Sequence, residues 1–133
     1  MSKLKNSQIQ YDSQADILNI TLEDRNEDLD ILSPVDGYVT LGVSSLCGAL
    51  CSIEVLNIKF MIGNPSMTAD GLEYEEESDC LYIHFTEEDG SLPWCDNAYQ
   101  DEDFNMISLN RNSFGNLTGI EIIGISKLID KYS

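Results

Sequence analysis

Hydrophobic and polar positions alternate along much of this chain, and the alternation is written twice. In "IQYDSQADILNITL" (Ile9 to Leu22), Leu18, Ile20 and Leu22 alternate with Ile17, Asn19 and Thr21. In "LEYEEESDCLYIHF" (Leu72 to Phe85), Leu81, Ile83 and Phe85 alternate with Cys80, Tyr82 and His84. A period of two with β-branched and aromatic residues predicts strands with one core face. Just before each run, "YDSQAD" and "YEEESD" break the pattern with residues that bond local backbone groups, which predicts a tight turn. Each motif therefore reads as a hairpin, with Asp12 and Asp16 bonding turn amides in the first copy and Glu75 and Asp79 at the equivalent places.

The two motifs pair position by position, Tyr11 with Tyr74, Asp16 with Asp79, Leu18 with Leu81. Further on, "LCSIEVLNIKFMI" (Leu50 to Ile62) pairs in the same way with "LTGIEIIGISKLI" (Leu117 to Ile129). Such self-similarity marks a tandem duplication. A second hairpin is predicted in each copy: "YVTLGV" before "LCSIEVLNI", and "NMISLN" before "LTGIEIIGI". Gly48 and Gly115 align at turns suited to positive φ. Short helical turns close the copies, with Ser126 as the expected N-cap of the second. The stretches between the hairpins, "EDRNEDLDILSPVDG" and "TEEDGSLPWCDNAYQDEDF", read as irregular loops. The expected fold is mainly β, or α+β if the terminal helices form. It has two tandem four-stranded antiparallel repeats, residues 1–62 and 72–133, joined by a linker at 63–71. Because a β unit of that size is marginal alone, the two copies are expected to bury their apolar faces against each other about a pseudo-twofold axis, as one compact unit and a covalently fused pseudo-dimer, alone or in a higher homo-oligomer.

Both hairpin motifs resemble a family of small, mostly bacterial proteins, domain-of-unknown-function family 2283. Its pattern is roughly Y-D-x-x-A-D-x-L-Y-I followed by G-x-E-I. The chain matches it as "YDSQADILNI" (Tyr11 to Ile20) and "YEEESDCLYI" (Tyr74 to Ile83), with "SIEV" and "GIEI" near the ends of the copies. Asn19, Glu75, Ser78 and Ser52 depart from the pattern. The resemblance implies a shared fold, usually present as one copy, and brings no established activity.

Charge changes the picture more than composition does. The 133 residues carry 24 acidic and 7 basic side chains, a net charge of −17. That disfavours direct binding of nucleic acid, whose phosphates call for Lys and Arg. Between Lys59 and Arg111 there is no Lys or Arg and there are thirteen acidic residues. This asymmetry singles out an interaction surface: Glu75, Glu76, Glu77, Glu87, Glu88, Asp89, Asp101, Glu102 and Asp103, with Trp94, Tyr99 and Phe104 as exposed anchors. A basic surface on a protein is the partner it suits. The same charge also suits plain solubility, and a nucleic-acid mimic that blocks a DNA- or RNA-binding protein.

Other chemistry is thinner. Glu54 and Glu121 sit among apolar neighbours at equivalent places. A carboxylate there calls for a polar partner, or for a paired acid–base or cation site at the pseudo-dimer axis. Cys80 and His84 share a strand face, and Cys95 would make a third zinc ligand, but Ile17 and Thr21 occupy the matching places in the first copy. "QDEDFN" alternates oxygen ligands at Asp101, Asp103 and Asn105, yet Met106 and Asn112 stand where a calcium loop needs Gly and Glu. No nucleophile elbow, HExxH, P-loop or dinucleotide fingerprint occurs. No apolar run is long enough for a membrane helix, and no secretory signal is evident. The expectation is a non-catalytic, cytoplasmic interaction module with no cofactor and no membrane partner. A small enzyme or cation-binding protein using Glu54 and Glu121 is the alternative.

Overall fold

The computed structural model describes residues 9–22, 28–35, 37–46, 49–63, 71–85 and 94–132. Strands β1 (Ile9–Asp12), β2 (Ile17–Thr21), β3 (Leu29–Val35), β4 (Val39–Ser44) and β5 (Leu50–Leu56) are followed by helix α1 (Ile58–Gly63). Strands β6 (Leu72–Glu75), β7 (Cys80–His84), β8 (Trp94–Gln100), β9 (Met106–Arg111) and β10 (Leu117–Ile123) are followed by α2 (Ile125–Lys131). The first five strands form a sheet in the order β1-β2-β5-β4-β3, and the second five repeat it as β6-β7-β10-β9-β8. Every neighbouring pair is antiparallel. The duplication read from the sequence is therefore a duplication of the sheet.

Each sheet has five strands rather than the expected four. The additional ones are β3 and β8, inside the two stretches read as irregular loops. Among the described residues both are edge strands, bonded on one side only, so they tolerate polar residues and, in β3, Pro34. Both also carry a register shift, between Leu32 and Val35 in β3 and between Asn97 and Tyr99 in β8. A bulged edge strand leaves little period-two signal to read.

The buried faces of both sheets meet in one hydrophobic core. Leu18, Ile20, Ile53 and Val55 from the first sheet join Leu81, Ile83, Ile120 and Ile122 from the second, with Ile58 and Met61 of α1 and Ile125, Leu128 and Ile129 of α2. Burying each such side chain stabilises the fold by about 1.5–3 kcal/mol. The halves are also tied by backbone, since the Tyr11 amide donates to the Tyr132 carbonyl at 3.0 Å.

The repeated Tyr…Asp pair explains how six- and seven-residue helices, too short to persist alone, hold their place. Asp16 and Asp79 end their hairpin turns in the left-handed region, with φ 58° and 53°. The Tyr11 hydroxyl donates to Asp16 at 2.6 Å and that of Tyr74 to Asp79 at 2.7 Å. Each carboxylate then reaches a helix start. Asp16 accepts from the Lys59 amide at 3.0 and 3.1 Å and from that of Phe60 at 3.4 Å. Asp79 accepts from the Ser126 amide at 3.3 and 3.2 Å and from its hydroxyl at 2.5 Å. The backbone carbonyls of Asp16 and Asp79 also accept from Asn57 and from Gly124 and Ile125, respectively. Orphan amides at helix starts are thus satisfied from another hairpin.

Two expectations change accordingly. Asp12 does bond turn amides, those of Gln14 and Ala15, but Asp16 serves α1 instead. The N-cap of α2 is Gly124, at φ 75°, and Ser126 lies inside the helix. Gly115 has the expected positive φ of 84°, whereas Gly48 lies outside the described residues.

Asp79→Asn keeps an oxygen acceptor and a residue tolerant of the left-handed region, and should cost about 1 kcal/mol. Asp79→Ala loses both and should cost about 3 kcal/mol. Urea unfolding of the two variants checks the order; equal midpoints would show that the tie contributes nothing.

Candidate interaction surface

The second sheet sorts the acidic residues by its register. Glu75, Cys80, Ile123, Met106 and Gln100 form one row across all five strands. Just past this row come the turn at 76–79, Gly124 with the start of α2, and the turn at 101–105. Glu76 and Glu77 therefore share one end of the sheet with Glu102, Asp103 and Phe104, and all five are exposed. Three strand spacings separate the two turns, roughly 14 Å.

The 101–105 turn is held by Asp101. Its carboxylate accepts from the amides of Asp103 at 3.0 Å and Asn105 at 2.9 Å, and from the Asn105 side chain at 2.9 Å. Lys131 pairs with it at 3.5 Å. Burial opposes the Asp101 charge, but the bonds from Asn105 and Asp103 and the nearby Lys131 outweigh it and hold the carboxyl below its usual range. Asn105 is itself buried and fills the space where a side chain at Gly124 would stand. This turn carries Phe104 at its tip, 72% exposed, with φ 64°.

Several residues chosen from the sequence take other roles. Tyr99 is not an exposed anchor but is 5% exposed. Its hydroxyl shares a 2.5 Å hydrogen bond with that of Tyr132 and accepts from Lys131 at 3.3 Å. Asp101 is not a free docking carboxylate, because its oxygens are engaged within the turn. Trp94 is exposed but lies at the opposite end of the sheet, about 17 Å from Phe104 along β9. There the Arg111 guanidinium sits 5.9 Å over its ring, and its indole N–H donates to the Asn112 carbonyl at 2.9 Å. Glu75 is exposed at the end of β6. Glu87, Glu88 and Asp89 lie outside the described residues.

Glu54 and Glu121 do not meet. Each is half-buried on the face of its sheet turned away from the shared core, between neighbours on β5 and β10 that are buried. Glu54 lies beside Asn19 and Thr40. Glu121 lies beside Tyr82 and Ser108 and accepts from the Asn110 amide at 3.4 Å. After Leu56 and Ile123 the chain turns into helices, which carry Ile58 and Ile125 into the core and away from the face that bears the glutamates.

Cys80 is buried while His84 is exposed. Burial is the main cause that pushes the Cys80 thiol up to about 11, away from the reactive thiolate. Among the described residues no group of three or more His, Cys, Asp or Glu is placed to hold a metal ion. No helix among them is long and apolar enough to cross a membrane.

The buried tyrosines set an alkaline limit. Burial and the hydrogen bond shared with Tyr132 push Tyr99 up to about 12. Burial, followed by the bonded carboxylate, raises Tyr11 and Tyr74 further. A tyrosine in the unfolded chain ionises at about 10. Above that pH the unfolded state releases protons that the folded state retains, so stability falls as pH rises. This contribution is complete below about pH 10 and is lost as pH climbs through the folded values. The urea midpoint should decline above about pH 10, less steeply in Tyr11→Phe/Tyr74→Phe. A flat midpoint, or the same slope in the variant, would contradict this.

No family model, curated protein or solved structure matches this chain.

Proposed function

We propose that the protein is a non-catalytic interaction module that binds a basic, partly apolar surface of another protein. The binding end is that of the second sheet, with Phe104 as anchor and Glu76, Glu77, Glu102 and Asp103 around it. The observation that carries this reading is the backbone of Phe104. A side chain other than Gly, Asn or Asp in the left-handed region costs about 1–2 kcal/mol. Asn or Gly would fill this turn at lower cost. An aromatic ring held there and left exposed adds nothing to the core, and strain of this kind concentrates at functional sites.

The surrounding charge supports the same partner. The carboxylates of Asp79 and Asp101 are used by the fold, whereas Glu76, Glu77, Glu102 and Asp103 project from turns that others hold together. Glu76 and Glu77 stand where the first copy has Ser13 and Gln14. Their charge is thus an addition to the framework, suited to steering a cationic partner. Trp94 is left out of the surface, because Arg111 already covers its ring. The matching strand orders also support reading the chain as two fused copies of the motif family it resembles.

Phe104→Asn separates fold from function. Unfolding measurements should show it more stable than the parent by about 1 kcal/mol, while affinity capture from cell lysate should lose the bound partner at least tenfold. Glu76→Gln/Glu77→Gln should weaken capture and reduce its dependence on salt. Capture unchanged in both variants would overturn the proposal.

A further inference from the structure

We propose that the first sheet carries a second, independent interaction surface, the edge strand β3, and that its partner is β3 of another copy of this chain. Four of the eight exposed large apolar side chains among the described residues lie at this corner: Leu29, Ile31 at 66%, Leu32 at 50% and Leu46 at 80%. Leu46 belongs to the same corner because Leu29 pairs with Ser44 and the amide and hydroxyl of Ser45 donate to the Asp28 carbonyl. Ile31 and Leu32 are neighbours in a strand, so they project to opposite faces. Among the described residues, nothing buries either face of this edge.

Edge strands are ordinarily protected by lysines, prolines, bulges or a covering segment. The other edge of this sheet has such a cover, since the β1 amide of Tyr11 donates to the Tyr132 carbonyl. The equivalent edge of the second sheet, β8, presents Cys95, Asp96 and Asn97 and a tryptophan stacked on Arg111. In β3 there is no lysine or arginine, and Pro34 and the bulge come only after Leu32. The unprotected length is Leu29 to Ser33.

That length is self-complementary. Antiparallel pairing centred on Ile31 places Ile31 against Ile31 of the second copy, Leu29 against Ser33, and Asp30 against Leu32. No two like charges stand directly opposite, an arrangement that would be destabilising, and Pro34 falls outside the paired window. Charge is sparse around this edge. The net charge is −17, yet β3, β4 and β5 carry only Asp30 and Glu54 between them. Pairing would make the two first sheets continuous and leave the acidic end of each second sheet unoccupied.

Sedimentation equilibrium of the full chain tests this directly. The weight-average mass should rise with protein concentration from 14.9 kDa towards twice that value. Added salt should strengthen the association by screening the charge on both copies. Ile31→Lys would set two cations opposite each other and should weaken association at least tenfold, with unchanged circular dichroism because the side chain is exposed. Ile31→Thr, which retains strand preference, should weaken it less and serves if the lysine variant fails to fold. A mass of 14.9 kDa at every concentration and salt, or association unaffected by both variants, would overturn the proposal. So would a monomer that binds an unrelated extended peptide along β3.

Discussion

Asp16 and Asp79 are the two carboxylates on which the geometry depends. Each ends a hairpin turn in the left-handed region, accepts a tyrosine hydroxyl and satisfies the first amides of a helix more than forty residues away. A helix of six or seven residues cannot nucleate by itself. Fixed in this way, α1 places Ile58 and Met61, and α2 places Ile125, Leu128 and Ile129, in the core between the sheets. The end of α2 then meets β1 through Tyr132, so the cap in one copy helps to join the two. A burial ledger of the strands alone would miss this dependence.

Much of the fold is legible in the sequence because its central strands alternate strictly and occur twice. Leu18, Ile20, Ile53 and Val55, and their counterparts Leu81, Ile83, Ile120 and Ile122, are all in the core. Edge strands are where legibility ends: β3 and β8 answer to one neighbour each, carry bulges, and read as loops. The helix caps are hidden for a different reason. Local spacing shows that Asp79 belongs to a turn, but not that its second set of partners is Ser126, 47 residues on. The candidate surface divides in the same manner. Glu76, Glu77, Glu102 and Asp103 come together as exposed charge at one end of a sheet. Tyr99 and Asp101, identical in composition to exposed candidates, are drawn inward by Tyr132, Asn105 and Lys131. The spacing of Asp101 and Asn105 is the one signal that points to a self-bonded turn. Phe104 is legible in the sequence as an exposed aromatic in an acidic stretch, and it is exposed, but its positive φ is not legible there.

The two copies thus differ in what surrounds a common framework. Where the first has Ser13 and Gln14, the second has Glu76 and Glu77, and its β8–β9 turn adds Glu102 and Asp103 around an exposed ring. The first copy instead leaves an apolar, charge-poor strand edge. A duplicated scaffold keeps its turn-and-cap chemistry twice and spends its remaining variation on two different surfaces, one acidic and one apolar. Separate surfaces on a rigid scaffold allow each to change without disturbing the core.

The framework bonds of the second copy run through Asp79 and Asp101, while Glu76, Glu77, Glu102 and Asp103 stay exposed beside them. Urea unfolding of the variant carrying Glu76→Gln, Glu77→Gln, Glu102→Gln and Asp103→Asn tests this most directly. With like-charge repulsion removed and no framework bond lost, its midpoint should equal or exceed that of the parent. A midpoint lowered as far as that of Asp79→Ala would mean that these carboxylates hold the fold together, and the division between framework and surface would fail.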